Sequence, residues 1–305
     1  MIKKMILGTF FIFQAMQGTT HTYFFAHGLA ANKKQARLFA KKYKLKNGKL
    51  YLNNNYIMQS PGVTFDFPDS FNIIDPSWIG PIKKIVAKVI RGNYDQTSFG
   101  QENEIDTLHA RYIKALAQAE YIVYGGISRG ASIFFTWSCI NQPANVAGAV
   151  LESPFAAIAD VINLKRKQLG IEFLLSEDSG QAIMEFLFRK YSRHGLKPID
   201  CIKNIHNKSQ FFNTPILIVA SITDDLVPWE SSFALYQELK NAGHTKVHFL
   251  LLEQGNHGFL LSGPDGKKYQ QVVHAFYKHY DLPCDELIAE QGLQEWDKIR
   301  KEHLF

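Results

Sequence analysis

Short apolar runs alternate along the chain with longer segments whose apolar residues recur every three or four positions. The short runs are rich in aromatic and β-branched residues and predict buried strands. They lie within residues 20–28, 63–67, 121–124, 146–155, 214–225 and 246–259. The longer segments predict helices, which lie at residues 33–49, 102–120, 131–140, 231–243 and 269–280.

This alternation is typical of a parallel sheet that is covered by helices on both faces. We predict one α/β domain over residues 19–305, with a mostly parallel central sheet of about six strands. Residues 156–210 interrupt the alternation, because they are mostly helical and carry nine basic and six acidic residues between two apolar strands. We interpret this segment as a helical lid inserted into the domain.

The first residues of the chain have the pattern of an export signal. Lys3 and Lys4 precede an apolar run at residues 5–16, and small and polar residues follow that run. Because such a run is too short to span a bilayer, we expect residues 1–18 to be a signal peptide and the protein to be secreted or periplasmic. The alternative is an extra strand at residues 7–13 in a cytoplasmic protein, since the cleavage site is poor.

The composition indicates a globular protein and limits its partners. With 305 residues, 46% apolar and 20% charged, the chain can bury a large core. The net charge of +6 is concentrated in residues 33–49, which hold eight Lys or Arg and no acidic residue. We interpret this segment as a solvated helix face, with an anion or membrane contact as the less favoured alternative. No nucleic-acid-binding motif accompanies it, so we expect no nucleic-acid partner.

The cysteines show no pattern that would bind a metal or form a disulfide framework. They are odd in number and lack metal-ligand spacing. The three are Cys139, Cys201 and Cys284. We therefore expect neither a metal site nor an organic cofactor.

The stretch GISRG at residues 126–130 carries the strongest chemical signal. It lies between a predicted strand and a predicted helix, where a Gly-x-Ser-x-Gly turn lifts the serine hydroxyl clear of the backbone. Gly126 and Gly130 suit this turn because side chains at their positions would collide with the neighbouring strand and helix. Ser128 is therefore a candidate nucleophile.

A serine nucleophile needs a base, which is usually a histidine that a carboxylate orients. One predicted strand ends at Asp224 and Asp225, and the last predicted strand leads into a glycine-flanked loop that contains His257. The order is thus Ser, Asp, His at successive strand carboxyl ends, where parallel sheets bind their ligands. Position alone allows either aspartate to orient the histidine.

Together these segments resemble the α/β-hydrolase family over roughly residues 20–280. The similarity rests on AHG at 26–28, GISRG at 126–130, LESPF at 151–155, TDDLVP at 223–228 and GNHGF at 255–259. Within that family the chain is most similar to the serine aminopeptidase and prolyl-oligopeptidase-like branch. The resemblance implies an α/β-hydrolase fold, whose usual first hairpin we expect to be missing or truncated here.

By this resemblance the motif residues have expected catalytic roles. Ser128 matches the nucleophile and His257 the general base. Asp224 matches the residue that holds the imidazole, which leaves Asp225 as a turn residue.

The resemblance also implies an oxyanion hole. Its expected donors are the backbone N–H groups of Arg129 and Leu29. His27 is expected to support the loop that carries Leu29, and Asp66 to structure its own loop. Glu152 is expected to shape the loop after its strand, with a place lining the site as the less favoured alternative.

These features predict a serine hydrolase that cleaves an ester or amide bond through an acyl-enzyme. The expected partner is a small-molecule or peptide acyl substrate. A carboxylesterase is slightly favoured over a peptidase, because no Glu-Glu pair that would bind a peptide amine marks the lid. The alternative from another class is a non-catalytic binding protein on the same fold.

Overall fold

The structure is a computed structural model of the chain. It describes residues 21–26, 28, 49–52, 56–64, 98–117, 119–188, 190–205 and 210–302, with the backbone alone for 49–52, 56–64, 102–103, 210 and 302. The predicted signal peptide at residues 1–18 lies outside the described residues. So do most of the basic segment, His27, Leu29 and Asp66.

Seven strands of the described part form a single sheet. They are β1 (His21–Ala26), β2 (Lys49–Leu52), β3 (Tyr56–Thr64), β4 (Tyr121–Ile127), β5 (Val146–Glu152), β6 (Ile216–Ser221) and β7 (Val247–Leu252). Their order across the sheet is β2-β3-β1-β4-β5-β6-β7. Strand β2 pairs antiparallel with β3, and all the other neighbours run parallel.

Eight α-helices connect or follow the strands in the described part. They are α1 (Glu102–Leu116), α2 (Arg129–Asn141), α3 (Ile158–Gln168), α4 (Glu177–Leu187), α5 (Pro198–Lys203), α6 (Trp229–Asn241), α7 (Gly266–His279) and α8 (Glu286–Glu302). Two short 3-10 helices lie at Gln210–Asn213 and Leu260–Ser262. None of these described helices is long and apolar enough to cross a membrane.

Helices cover both faces of the sheet, because successive side chains of a strand point to opposite faces. On one face, α1, α2 and α6 pack against a core that contains Phe24, Tyr124 and Trp137. On the other face, α7 and α8 pack against Tyr23 and bury Trp296. Fully burying each large apolar side chain stabilises the fold by about 1.5–3 kcal/mol, so this two-layer packing holds the strand ends in place.

Helix α2 is buried along nearly its whole length, which fixes the turn that precedes it. Its residues from Arg129 to Ser138 are all buried. Its apolar residues pack into the core, and buried polar residues such as Arg129 and Thr136 are hydrogen-bonded to neighbouring segments. The start of α2 is therefore held firmly at the end of β4.

The architecture confirms the predicted α/β-hydrolase fold with a mostly parallel sheet. The sheet has seven strands where about six were predicted, and β2 lies at one edge. Strand β2 starts at Lys49, the last residue of the basic segment that the pattern predicted as helix. Strand β3 begins earlier than the predicted strand at 63–67 and ends at Thr64. Its Gln, Ser, Pro and Gly residues obscure the apolar pattern, and pairing with β1 determines its length instead.

Helices α3, α4 and α5 lie between β5 and β6, within the segment that we predicted as a lid at residues 156–210. A small apolar cluster joins this segment to the domain. Its buried members are Phe99, Phe155, Ile158, Phe188, Tyr191 and Val227. The cluster includes residues from the inserted helical segment, from the segment before α1 and from the loop after β6, so the inserted segment packs beside the carboxyl edge of the sheet.

Candidate active site

Ser128 occupies a strained turn between β4 and α2. Its φ is 52° and its ψ is −118°, a conformation that L-residues rarely adopt and that clusters at functional sites. The Ser128 N–H donates to the Glu152 carbonyl at 2.7 Å, and the Ser128 carbonyl accepts from Ala131 and Ser132 N–H groups at 2.9 and 2.8 Å. The neighbouring strand and the first turn of α2 thus hold the turn from both sides.

Two glycines leave room for this turn. A Cβ at Gly126 would lie 2.6 Å from the Gly130 carbonyl oxygen and 2.9 Å from the Ala131 Cα, so only glycine fits there. Gly28, just after β1, packs against the turn, because a Cβ on it would lie 3.5 Å from the Ser128 Cβ. The next residue, Leu29, is the predicted second oxyanion donor and lies outside the described residues.

The loops after β6 and β7 bring Asp224 and His257 into contact. The His257 Nδ1 lies 3.0 Å from Asp224 Oδ1 and 2.9 Å from Oδ2. The Asp224 side chain is only 1% exposed, whereas the His257 side chain is 13% exposed. The carboxylate is thus shielded from water, whereas the imidazole is partly accessible to water.

Three further donors fix the Asp224 carboxylate. Its Oδ1 accepts the Leu226 and Val227 N–H groups at 2.9 and 3.0 Å. Its Oδ2 accepts the Ser153 hydroxyl at 2.7 Å. Burial alone would raise the pKa of Asp224, but the hydrogen bond and charge interaction with His257, together with the backbone donors, lower that pKa below its ordinary value.

Asp225, the alternative aspartate, has a different environment. Its carbonyl oxygen accepts Lys165 Nζ at 2.5 Å and Gln168 Nε2 at 3.0 Å, both from lid helix α3. The geometry therefore brings Asp224, and not Asp225, to His257. It also ties the lid to the turn that carries Asp224.

The three predicted side chains follow strands that end at one edge of the sheet. Glu152 at the end of β5 pairs with Ile127 of β4 on one side and with Val219 of β6 on the other. Since β4 to β7 are parallel neighbours, Ser128, Asp224 and His257 all lie at the carboxyl edge. Ligands bind at this edge in open α/β sheets.

Arg129, whose backbone N–H is the other predicted oxyanion donor, has a buried ionic partner. Its guanidinium Nη1 lies 3.2 Å from Glu104 Oε1, and the two side chains are 1% and 0% exposed. Glu104 also accepts the Ser98 and Gly100 N–H groups at 3.1 and 2.7 Å. The pair thus joins α1 and the segment before it to the first residue of α2.

Glu104 and Ser153 are site-supporting residues that the motifs did not reveal. Glu104 had a detectable signal, because it lies on the same face of α1 as the apolar residues Leu108 and Tyr112. An acidic residue on a buried helix face requires a charged or hydrogen-bonding partner. Ser153 had no comparable signal, because its contact with Asp224 depends on pairing between distant strands.

Among the described residues, no group of three or more His, Cys, Asp or Glu side chains is arranged to hold a metal ion. Cys139, Cys201 and Cys284 are free thiols.

Residues 113–281, which include Ser128, Asp224 and His257, match the prolyl oligopeptidase family over more than half of the chain. The chain belongs to the prolyl oligopeptidase family. This membership confirms the resemblance that the motifs carried, and it identifies the chain by class as a serine hydrolase. A comparison with curated protein sequences finds no significant match.

Solved structures show the same fold at low sequence identity. An acylaminoacyl peptidase of Pyrococcus horikoshii is 19% identical with a TM-score of 0.53, and the alignment covers 86% of this chain and 37% of that one. An esterase of Pyrococcus furiosus is 15% identical with a TM-score of 0.52, covering 86% and 83%. The chain therefore spans little more than a third of the peptidase but most of the esterase, and both similarities concern the fold alone.

The Glu104–Arg129 pair makes a testable contribution to stability. Replacing Glu104 by Gln removes the carboxylate that lies 3.2 Å from the buried Arg129 guanidinium, which should lower the free energy of unfolding by about 3–5 kcal/mol. Urea-induced unfolding followed by circular dichroism measures this change.

The exposed pair Lys278–Glu290 supplies the matched control. Glu290→Gln should cost less than about 1 kcal/mol, since exposed ion pairs contribute little. Equal losses for the two Glu→Gln variants would contradict a supporting role for the buried pair.

Proposed function

We propose that the protein hydrolyses a carboxylic ester or amide through an acyl-enzyme, with Ser128 as nucleophile, His257 as general base and Asp224 as the residue that orients the imidazole. The observation that supports this most is the contact between His257 Nδ1 and a buried, fully hydrogen-bonded Asp224. It occurs at the sheet edge where Ser128 has the strained conformation of a nucleophile turn.

In the proposed reaction His257 Nε2 accepts the Ser128 hydroxyl proton as Oγ attacks the carbonyl carbon. The imidazolium then gives the proton to the departing alcohol or amine, which leaves the acyl group on Ser128. A water molecule, activated by the same imidazole, attacks the acyl carbonyl and releases the acid. The Nδ1 contact with Asp224 keeps the proton on Nδ1 and leaves Nε2 free to act as base.

The developing negative charge on the carbonyl oxygen requires N–H donors, and losing one raises the barrier by about 3 kcal/mol. We propose the backbone N–H groups of Arg129 and Leu29 for this role. The first is the residue after the nucleophile, and its side chain is anchored by Glu104. The second follows Gly28, which packs against Ser128.

The apolar cluster beside the site favours a substrate whose acyl group or amino-acid side chain is apolar. Val227 of this cluster donates its N–H to Asp224, and Phe155 donates its N–H to the Ser132 hydroxyl in the first turn of α2. Phe99, Phe188 and Tyr191 pack edge-to-face next to them. We propose an esterase that accepts apolar acyl groups, with a peptidase as the second candidate because the family and its structural neighbours include peptidases.

The nucleophile is tested with a fluorophosphonate probe, which modifies activated serines. The wild-type protein should be labelled, and Ser128→Ala should lose labelling completely because the proposed nucleophile has then lost its hydroxyl. Ser262→Ala, which changes an exposed serine near the same loop, is the control and should label like wild type. Persistent labelling of Ser128→Ala would reject the assignment, and an unreactive wild type would favour the non-catalytic alternative.

The type of bond is tested by turnover of p-nitrophenyl esters of increasing chain length beside aminoacyl anilides. We expect kcat/KM to be higher for the esters and to rise with acyl length as more apolar surface is buried, by up to about threefold to fourfold per methylene. Ser128→Ala serves as the blank for both substrates. Faster cleavage of the anilides would replace the esterase by the peptidase candidate.

A further inference from the structure

A buried carboxyl group lies directly beneath the site, and the proposed reaction does not use it. Glu152 is the last residue of β5 and is 0% exposed. Its Oε1 accepts the Leu260 N–H at 3.4 Å. The Tyr269 phenol of α7 also interacts with the carboxyl. A buried carboxyl is costly to maintain, so its presence at this position requires an explanation.

Glu152 and Ser153 together form hydrogen bonds with Ser128, with Asp224 and with the segment that follows His257. The Glu152 carbonyl accepts the Ser128 N–H at 2.7 Å. The Ser153 hydroxyl donates to Asp224 at 2.7 Å, and Ser153 has a left-handed φ of 47° that holds it in this position. The Glu152 side chain adds the third contact, because Leu260 follows His257 by three residues and begins the short helix Leu260–Ser262.

We propose that Glu152 is a positioning residue, whose buried carboxyl holds the loop carrying His257 against the end of the sheet through the Leu260 N–H. This inference rests on the proposed function and assigns to Glu152 a role in positioning the base, beyond the loop-shaping role that the sequence favoured. The main chain of Glu152 fixes the nucleophile while its side chain fixes the base, so one residue sets the distance between the two.

The surroundings of Glu152 keep it protonated near neutral pH. Burial raises the pKa of Glu152 to about 8, and the nearby Asp224 charge acts in the same direction, whereas the Leu260 hydrogen bond and the nearby Tyr269 phenol act against it. The groups that face the carboxyl are Tyr269 of α7, Tyr23 of β1 and Asp224 of the loop after β6. Burial raises the pKa of both tyrosines well above the ordinary value, so of these three groups only Asp224 is charged.

Ionisation of Glu152 should therefore disturb the site. A second negative charge beside Asp224 would be buried without a cation among these neighbours, and water would have to enter to solvate it. Because the raised pKa favours the neutral form in the folded state, the stabilisation is complete below the ordinary pKa of 4.5 and is lost as the pH rises to about 8. The position of the His257 loop should follow the same titration.

The kinetic test compares the pH dependence of kcat/KM for wild type and Glu152→Gln. Wild type should lose activity as the pH rises through about 8, whereas Glu152→Gln cannot ionise and should lack this fall. Glu152→Met also cannot ionise but has no acceptor for Leu260, so its kcat should fall by about tenfold with little change in KM. Glu253→Gln, at an exposed carboxylate just after β7, is the control and should keep the wild-type profile.

A second measurement tests the role of Glu152 without relying on catalysis. In ¹⁵N-labelled protein the Leu260 amide resonance should titrate with a midpoint at about pH 8, and this titration should vanish in Glu152→Gln. An unchanged pH profile in Glu152→Gln, or a Leu260 amide that titrates identically in both proteins, would overturn the proposal. If no ester or anilide is hydrolysed, the proposed function fails, while the amide titration still decides the role of Glu152.

Discussion

The hydrogen bond between His257 and the buried Asp224 carboxylate is the interaction on which the proposed chemistry depends. The carboxylate is 1% exposed and accepts two backbone N–H groups and one hydroxyl besides the imidazole. These donors fix its orientation and compensate for its loss of hydration, so the ring of His257 is held in one orientation. A base whose orientation is fixed before substrate binds needs little reorganisation during the reaction.

The parallel sheet is what allows residues more than a hundred positions apart to form this arrangement. Strands β4 to β7 are neighbours in chain order, so their following loops share one edge. The first turn of helix α2 holds the strained serine turn, and the Glu104–Arg129 pair anchors the first residue of that helix. Helix α3 of the inserted segment contacts the Asp225 carbonyl next to Asp224, so the inserted segment is physically linked to the turn that carries Asp224.

Local signals made the fold class and the three candidate residues predictable. The serine turn is a short-range pattern of glycines between a strand and a helix, and the aspartate and histidine directly follow apolar strands. The choice between Asp224 and Asp225 needed the resemblance, because adjacent turn residues point in different directions that only the backbone conformation reveals. Strand β2, Ser153 and the double contact of Glu152 were not predictable, since each depends on pairing between distant segments.

The most direct test of the account is kcat of Asp224→Asn beside Asp225→Asn on the best p-nitrophenyl ester. We expect kcat to fall by about ten-thousandfold for Asp224→Asn, because an amide stabilises the wrong imidazole tautomer, and to change by no more than about threefold for Asp225→Asn. Similar activities for the two variants, or a larger loss in Asp225→Asn, would contradict the arrangement of Ser128, His257 and Asp224 proposed for this enzyme.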